Sequence, residues 1–157
     1  MITTERPQIA PAERPQDRQP GRPQISALSS MPVSEAAVPS LRHFVRDTAR
    51  CWAVPEETID ALSLVVTELV TNVVLHSGSP EVTVLLTVVD RAEVTVEVKD
   101  AGRWQDRTTP REVPEDADAS CGPGLDLIGR CCSWWLAFLG PAGSRVVACL
   151  PVAAAVA

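Results

Sequence analysis

The chain has no tyrosine, two phenylalanines and two histidines in 157 residues. With His43 and His76 as the whole supply, a histidine-rich metal site is not to be expected. The cysteines Cys51, Cys121, Cys131, Cys132 and Cys149 are odd in number and form no C-x-x-C pair. Neither a disulfide framework nor a zinc site is therefore suggested, and they read as small core hydrophobes. Long apolar stretches are missing: none reaches the roughly 20 residues that span a bilayer, and the N-terminus lacks the apolar centre of a signal peptide. No basic stripe interrupts a net charge of −6, which argues against direct nucleic-acid binding. These absences together point to a soluble cytoplasmic protein without a membrane partner.

What is present is unevenly spread. The length suits one domain with a real core. Five of the 14 prolines precede residue 24, whereas the apolar runs begin near Val38. The tripeptide R-P-Q recurs at Arg6, Arg14 and Arg22, a period of eight. This segment is rich in Pro, Gln and Arg and poor in large apolar groups, so it cannot offset its ordering entropy by burial. Residues 1–33 are expected to be a disordered or extended arm, and 34–157 the folded domain.

Ser40 suits the N-cap of a first helix over Leu41 to about Cys51, with Leu41, Phe44, Val45 and Trp52 as its apolar face. Pro55, Glu56 and Glu57 then open a second helix to about His76, acids standing near the positive end of the dipole. At 100° per residue Ile59, Leu62, Val66, Leu69 and Val73 form one stripe, and Glu68 and Asn72, four apart, fall along its edge. Such a border is half covered and can hold polar groups that address one ligand; taken alone, the pair reads as ordinary solvent-side residues.

Val82, Val84, Leu86 and Val88 alternate with Glu81, Thr83, Leu85 and Thr87, which predicts a strand. After a turn at Asp90 and Arg91 a second strand carries Val94, Val96 and Val98 on one face. The same parity brings Asp100 onto that apolar face, where a carboxylate is costly to bury without partners. Asp before a glycine turn is also common at strand ends. From Arg103 to Ser120 no periodicity survives, and a loop that long is usually functional or mobile. Gly122 and Gly124 precede a short helix carrying Leu125, Ile128 and Cys132; glycines at a helix start let backbone N–H groups approach an anion. Trp134–Leu139 and Arg145–Leu150 read as a closing hairpin through Gly140-Pro141-Ala142-Gly143.

The order helix, helix with E-x-x-x-N, hairpin ending in D-x-G, long loop, G-x-G-L, hairpin resembles the GHKL superfamily of ATPases and kinases. It is most similar to the small bacterial anti-sigma factor serine kinases. The resemblance covers about Leu41 to Val152, and its most specific stretch is E-L-V-T-N-x-x-x-H-S, Glu68 to Ser77. It implies a two-layer α/β sandwich, a mixed sheet of four or more strands with helices on one face. It implies ATP and Mg²⁺ as cofactors, with Asn72 holding the metal and Glu68 acting as general base or orienting the attacking hydroxyl. Asp100 would accept a hydrogen bond from the adenine amino group, Gly102 would let backbone pass close to the base, Gly122 and Gly124 would allow the long loop to close over the phosphates, and Leu125 would belong to the same nucleotide-binding motif. The implied partners are a sigma factor and an anti-anti-sigma protein, with a homodimer left open. Two departures stand out. Arg103-Trp104 follows Gly102 where the family often has a second glycine, and Pro123 occupies the often basic middle of G-x-G. They favour an alternative, a non-catalytic ATP-binding signalling module whose nucleotide state controls partner binding. Arg103, Arg107, Arg111 and Arg130 read as solvated charges or phosphate contacts.

Overall fold

Val94, Val96 and Val98 are each almost wholly buried, with Thr95 and Glu97 between them half-buried, and around this strand the sheet is built outward in both directions. The computed structural model describes residues 22–103 and 123–154. In chain order the elements are β1 Gln24–Pro32, α1 Ala37–Cys51, α2 Glu56–His76, β2 Glu81–Val89, β3 Glu93–Asp100, α3 Pro123–Cys131, β4 Trp134–Gly140 and β5 Gly143–Pro151. The five strands run in the order β1-β2-β3-β5-β4, and all four pairings are antiparallel. The sandwich architecture is as the sequence implies, but the sheet is antiparallel rather than mixed. The β2–β3 and β4–β5 hairpins lie side by side, and antiparallel pairing needs no crossover helix between the strands of a hairpin.

Register fixes which side chains meet. Val96 stands between Leu86 on β2 and Ala148 on β5, and Asp100 stands between Val82 and Ser144. One sheet face is thus a valine and leucine layer, covered by Leu41 and Val45 of α1, by Ile59, Leu62, Val66, Leu69 and Val73 of α2, and by Ile128 of α3. The opposite face has no helix over it among the described residues, and exposes Trp134, Leu136 and Phe138 along β4. There Arg145 forms a forked pair with Glu97, at 2.7 and 3.0 Å, while its guanidinium carbon lies 5.6 Å from the Phe138 ring centre.

Three expectations need correction. The arm does not extend to residue 33. Gln24–Pro32 is a full strand paired along its length with β2, and Met31 and Val33 pack against the core. Its inward residues, Ile25, Ala27, Ser29 and Met31, are too mixed in polarity to show a period of two. The strand is held instead by the ladder and by hydroxyl pairs such as Ser26 with Thr87 at 2.9 Å and Ser30 with Thr83 at 2.8 Å. Residues 1–21 lie outside the described residues. The first helix begins at Ala37 rather than Leu41, because Pro39 falls in the first turn, where the N–H it lacks has no helical partner anyway. Finally, α2 is by length and composition apolar enough to cross a membrane, with a mean hydropathy of 1.6, although no such run was expected. Ile59, Leu62, Val65, Val66 and Val70 are fully buried against the sheet and α1, so its apolarity is that of a core helix.

The α1–α2 turn explains the antiparallel helix pair. Ala53 takes φ 57° after the C-cap Trp52, and the N–H groups of Ala53 and Val54 bond back to the carbonyls of Arg50 and Ala49. This is a Schellman-type stop in which alanine stands where glycine is usual. Pro55 then caps α2. Across the turn Arg50 grips Glu56 at 2.7 and 3.2 Å, and Arg46 reaches Asp60 at 3.0 Å. The hydrogen bond and charge of Arg50 hold the Glu56 carboxyl below its ordinary range.

Candidate functional site

Helix α2 carries Glu68 and Asn72 where its buried stripe gives way to the surface, and both are half-buried. At 1.5 Å per residue, Asn72 lies about 6 Å along the helix axis from Glu68, and the C-cap Ser77 about 7.5 Å beyond Asn72. The helix thus sets out a carboxylate, a carboxamide and a hydroxyl in sequence toward its C-terminal end.

That end is where β3 terminates. Asp100 is 5% exposed, on the side of the sheet that faces the helices, as strand parity requires. The Gly102 N–H donates to its Oδ1 at 2.8 Å, and the Ser144 hydroxyl donates to its Oδ2. A carboxylate can accept about four hydrogen bonds. Two glycines let the backbones converge here. A Cβ at residue 102 would meet the Ser77 carbonyl oxygen at 2.0 Å, and one at Gly143, where φ is +140°, would meet the Asp100 carbonyl oxygen at 2.1 Å. The C-terminus of α2, the end of β3 and the start of β5 therefore meet at Asp100.

Serines stitch the junction. Ser77 Oγ donates to the Val73 carbonyl at 2.7 Å and accepts the Ser79 N–H at 3.0 Å. Ser79 Oγ donates to the Glu81 carbonyl at 2.6 Å and accepts the Ala101 N–H at 3.0 Å. Among the described residues no buried side-chain polar atom lacks a partner. From the sequence Gly143 reads only as part of the closing hairpin's turn, and Ser79 and Ser144 have no place in the site. Ser144 could have been found by carrying the inward parity of Leu150, Ala148 and Val146 back to its register partner Asp100; nothing local marks Ser79.

Of the other expected residues, Gly124 and Leu125 lie in the first turn of α3, which packs on α2 through the buried Ile128. Gly122 lies outside the described residues, as do Trp104, Arg107 and Arg111. Arg103 is exposed, and Arg130 pairs with Asp126 one turn away at 3.1 Å, a solvated helix pair. No group of three or more His, Cys, Asp or Glu side chains among the described residues could hold a metal ion. Asn72, the residue expected to hold the metal, offers one carboxamide oxygen. That suits a magnesium ion that keeps several waters and shares phosphate oxygens, and does not suit an all-protein cage.

Comparison with known proteins bears on the family and the fold. A family model described as the histidine kinase-like ATPase domain matches residues 31–134. Among solved structures, that of the RsbU and RsbW domains of a Mycobacterium tuberculosis protein superposes with a TM-score of 0.64 at 16% identity. The match covers 83% of this chain and 34% of that one, so this chain spans about a third of its length. The SiaB–SiaC complex from Pseudomonas aeruginosa superposes with a TM-score of 0.62 at 16% identity, covering 79% of this chain and 88% of that one. At such identities the likeness is one of fold. Among curated proteins no sequence matches.

Proposed function

The chain belongs to the histidine kinase-like ATPase family, and from that premise we propose that it is an ATP-dependent protein serine/threonine kinase that acts as an anti-sigma factor in the cytoplasm. Its substrate would be a serine on an anti-anti-sigma protein. The observation that carries the reading is the buried Asp100, oriented by the Gly102 N–H and the Ser144 hydroxyl at the end of the helix that bears Glu68 and Asn72.

In this reading Asp100 accepts a hydrogen bond from the exocyclic amine of adenine, and Gly102, whose missing Cβ lets the corner close on the Ser77 carbonyl, supplies the N–H that orients the carboxylate. Asn72, farther along α2, presents its carboxamide oxygen to magnesium, which when bound supplies neutralisation of the phosphate charge. Glu68, one turn beyond, takes the proton of the attacking serine hydroxyl. Gly122 and Gly124 would let the segment before α3 close over the phosphates, with Pro123 contributing no N–H. Partner binding is supported by the fold neighbour solved as a complex of SiaB with SiaC.

Incubation with labelled ATP, magnesium and candidate anti-anti-sigma proteins tests the reading, with Glu68→Gln alongside. The variant should bind nucleotide normally and lose transfer by about 10²- to 10⁴-fold. Transfer at the wild-type rate would remove Glu68 from the mechanism. Nucleotide-dependent partner binding without any transfer by the wild type would favour the alternative of a non-catalytic module, to which Pro123 at the start of α3 lends support.

A further inference from the structure

Ser79 is buried, 6% exposed, three residues past the end of α2 and outside every motif described above. Its hydroxyl spans two segments 22 residues apart. It donates to the Glu81 carbonyl at 2.6 Å, which shapes the entry to β2, and it accepts the N–H of Ala101 at 3.0 Å. Ala101 lies between Asp100 and Gly102, so its N–H belongs to the peptide plane that leaves Asp100. The Ser79 N–H is in turn held by Ser77 Oγ at 3.0 Å, and Ser77 Oγ is anchored to the Val73 carbonyl, next to Asn72 in the chain.

We infer that Ser79 is a positioning residue. It fixes the Asp100–Gly102 corner against the end of the helix that carries Asn72 and Glu68, and so sets how strongly the site prefers an adenine over a guanine base. The inference rests on the nucleotide-site reading above. Without the Ser79 hydroxyl the Ala101 N–H loses its acceptor in a part-buried corner, and the peptide after Asp100 can rotate. The carboxylate then no longer presents one fixed acceptor direction. Guanine carries a carbonyl where adenine has its amine, so it gains nothing from that carboxylate and loses nothing when its orientation drifts.

The test is equilibrium binding of ATP and GTP to the full chain, its Ser79→Ala variant and its Ser79→Thr variant, with unfolding of each ligand-free protein measured in parallel. Ser79→Ala should weaken ATP about 5- to 10-fold and leave GTP within about twofold, so that the preference for ATP shrinks by the same factor. Ser79→Thr, which keeps the hydroxyl, should restore the preference. A merely structural serine would lower stability and weaken both nucleotides alike; an unchanged ratio in Ser79→Ala overturns the inference while the site reading stands. Absence of ATP binding by the wild type overturns both. Should Ser79→Ala fail to fold, amide exchange of the wild type decides. The Ala101 N–H should be protected and slowed further by ATP, and exchange at the unstructured rate would refute the contact.

Discussion

The backbone at Gly102 lies so close to the end of α2 that a Cβ there would stand 2.0 Å from the Ser77 carbonyl oxygen and 2.6 Å from its carbon. Both are main-chain atoms, which cannot turn aside as a flexible side chain can. Gly102→Ala must therefore push β3 away from α2, at an overpacking cost of about 1–3 kcal/mol. Denaturant unfolding should show that loss, and nucleotide binding should fall with it, because the displaced segment includes the N–H that donates to Asp100. An alanine variant of unchanged stability would mean that the two segments are not in contact.

The N-terminal region divides at β1. Removing residues 1–21 leaves Arg22 paired with Asp90 and the whole β1–β2 ladder in place, so stability should stay within about 1 kcal/mol. Removing residues 1–32 strips nine register pairs from β2 and uncovers the core beside Met31. That truncation should lose at least about 2 kcal/mol or aggregate through the newly opened β2 edge. Comparable unfolding midpoints for the two truncations would show that β1 contributes nothing.

This division also shows what could be read from residues alone. The valines of β2 and β3 announce their strands, since apolar groups at every second position suit a strand with one buried face and would scatter around a helix. The same parity puts Asp100 on the helix side. The stripe along α2 shows equally plainly. β1 escapes because its stability comes from a partner strand 49 to 65 residues away rather than from its own pattern. Ser79 escapes for the same reason: its acceptor role toward Ala101 exists only once β3 has folded back onto α2. Local period marks elements; nothing local marks a hydroxyl shared by two distant segments.

Burial pushes the thiols of Cys132 and Cys149 up from 9.0 to about 11, with Cys131 and Cys149 adding to the first and Glu93 to the second. At pH 8 on the order of 0.1% of either is thiolate, so alkylation should reach the exposed Cys51 well before them. The sign for stability follows from the folded state holding these protons more tightly than the unfolded chain. Their contribution is complete below about pH 9 and is lost as the pH climbs through about 11. Unfolding midpoints should fall across that window, and a Cys132→Ala, Cys149→Ala double variant should fall less steeply. Equal slopes would show that neither thiol contributes.

Asp100 ties the fold to the proposed chemistry, and its substitution separates the two. Its carboxylate is buried and receives, among the described residues, the Gly102 N–H and the Ser144 hydroxyl, so Asp100→Ala leaves at least these two donors without their acceptor. An unsatisfied buried donor costs about 1–3 kcal/mol, and ligand-free stability should drop by about that much even if no nucleotide ever binds. The second effect is specific to a purine site. An acceptor-only carboxylate takes a hydrogen bond from the adenine amine but opposes the guanine carbonyl, so the wild type should prefer ATP over GTP by at least about tenfold. Asp100→Ala should abolish that preference together with most of the ATP affinity. Ser144→Ala, which removes one orienting donor and keeps the carboxylate, should narrow the preference without abolishing it. Titration of ATP and GTP into the three proteins reads all of this at once. Equal affinity of the wild type for both nucleotides, or normal ATP binding by Asp100→Ala, would return Asp100 to the purely structural duty of closing the corner between β3 and β5.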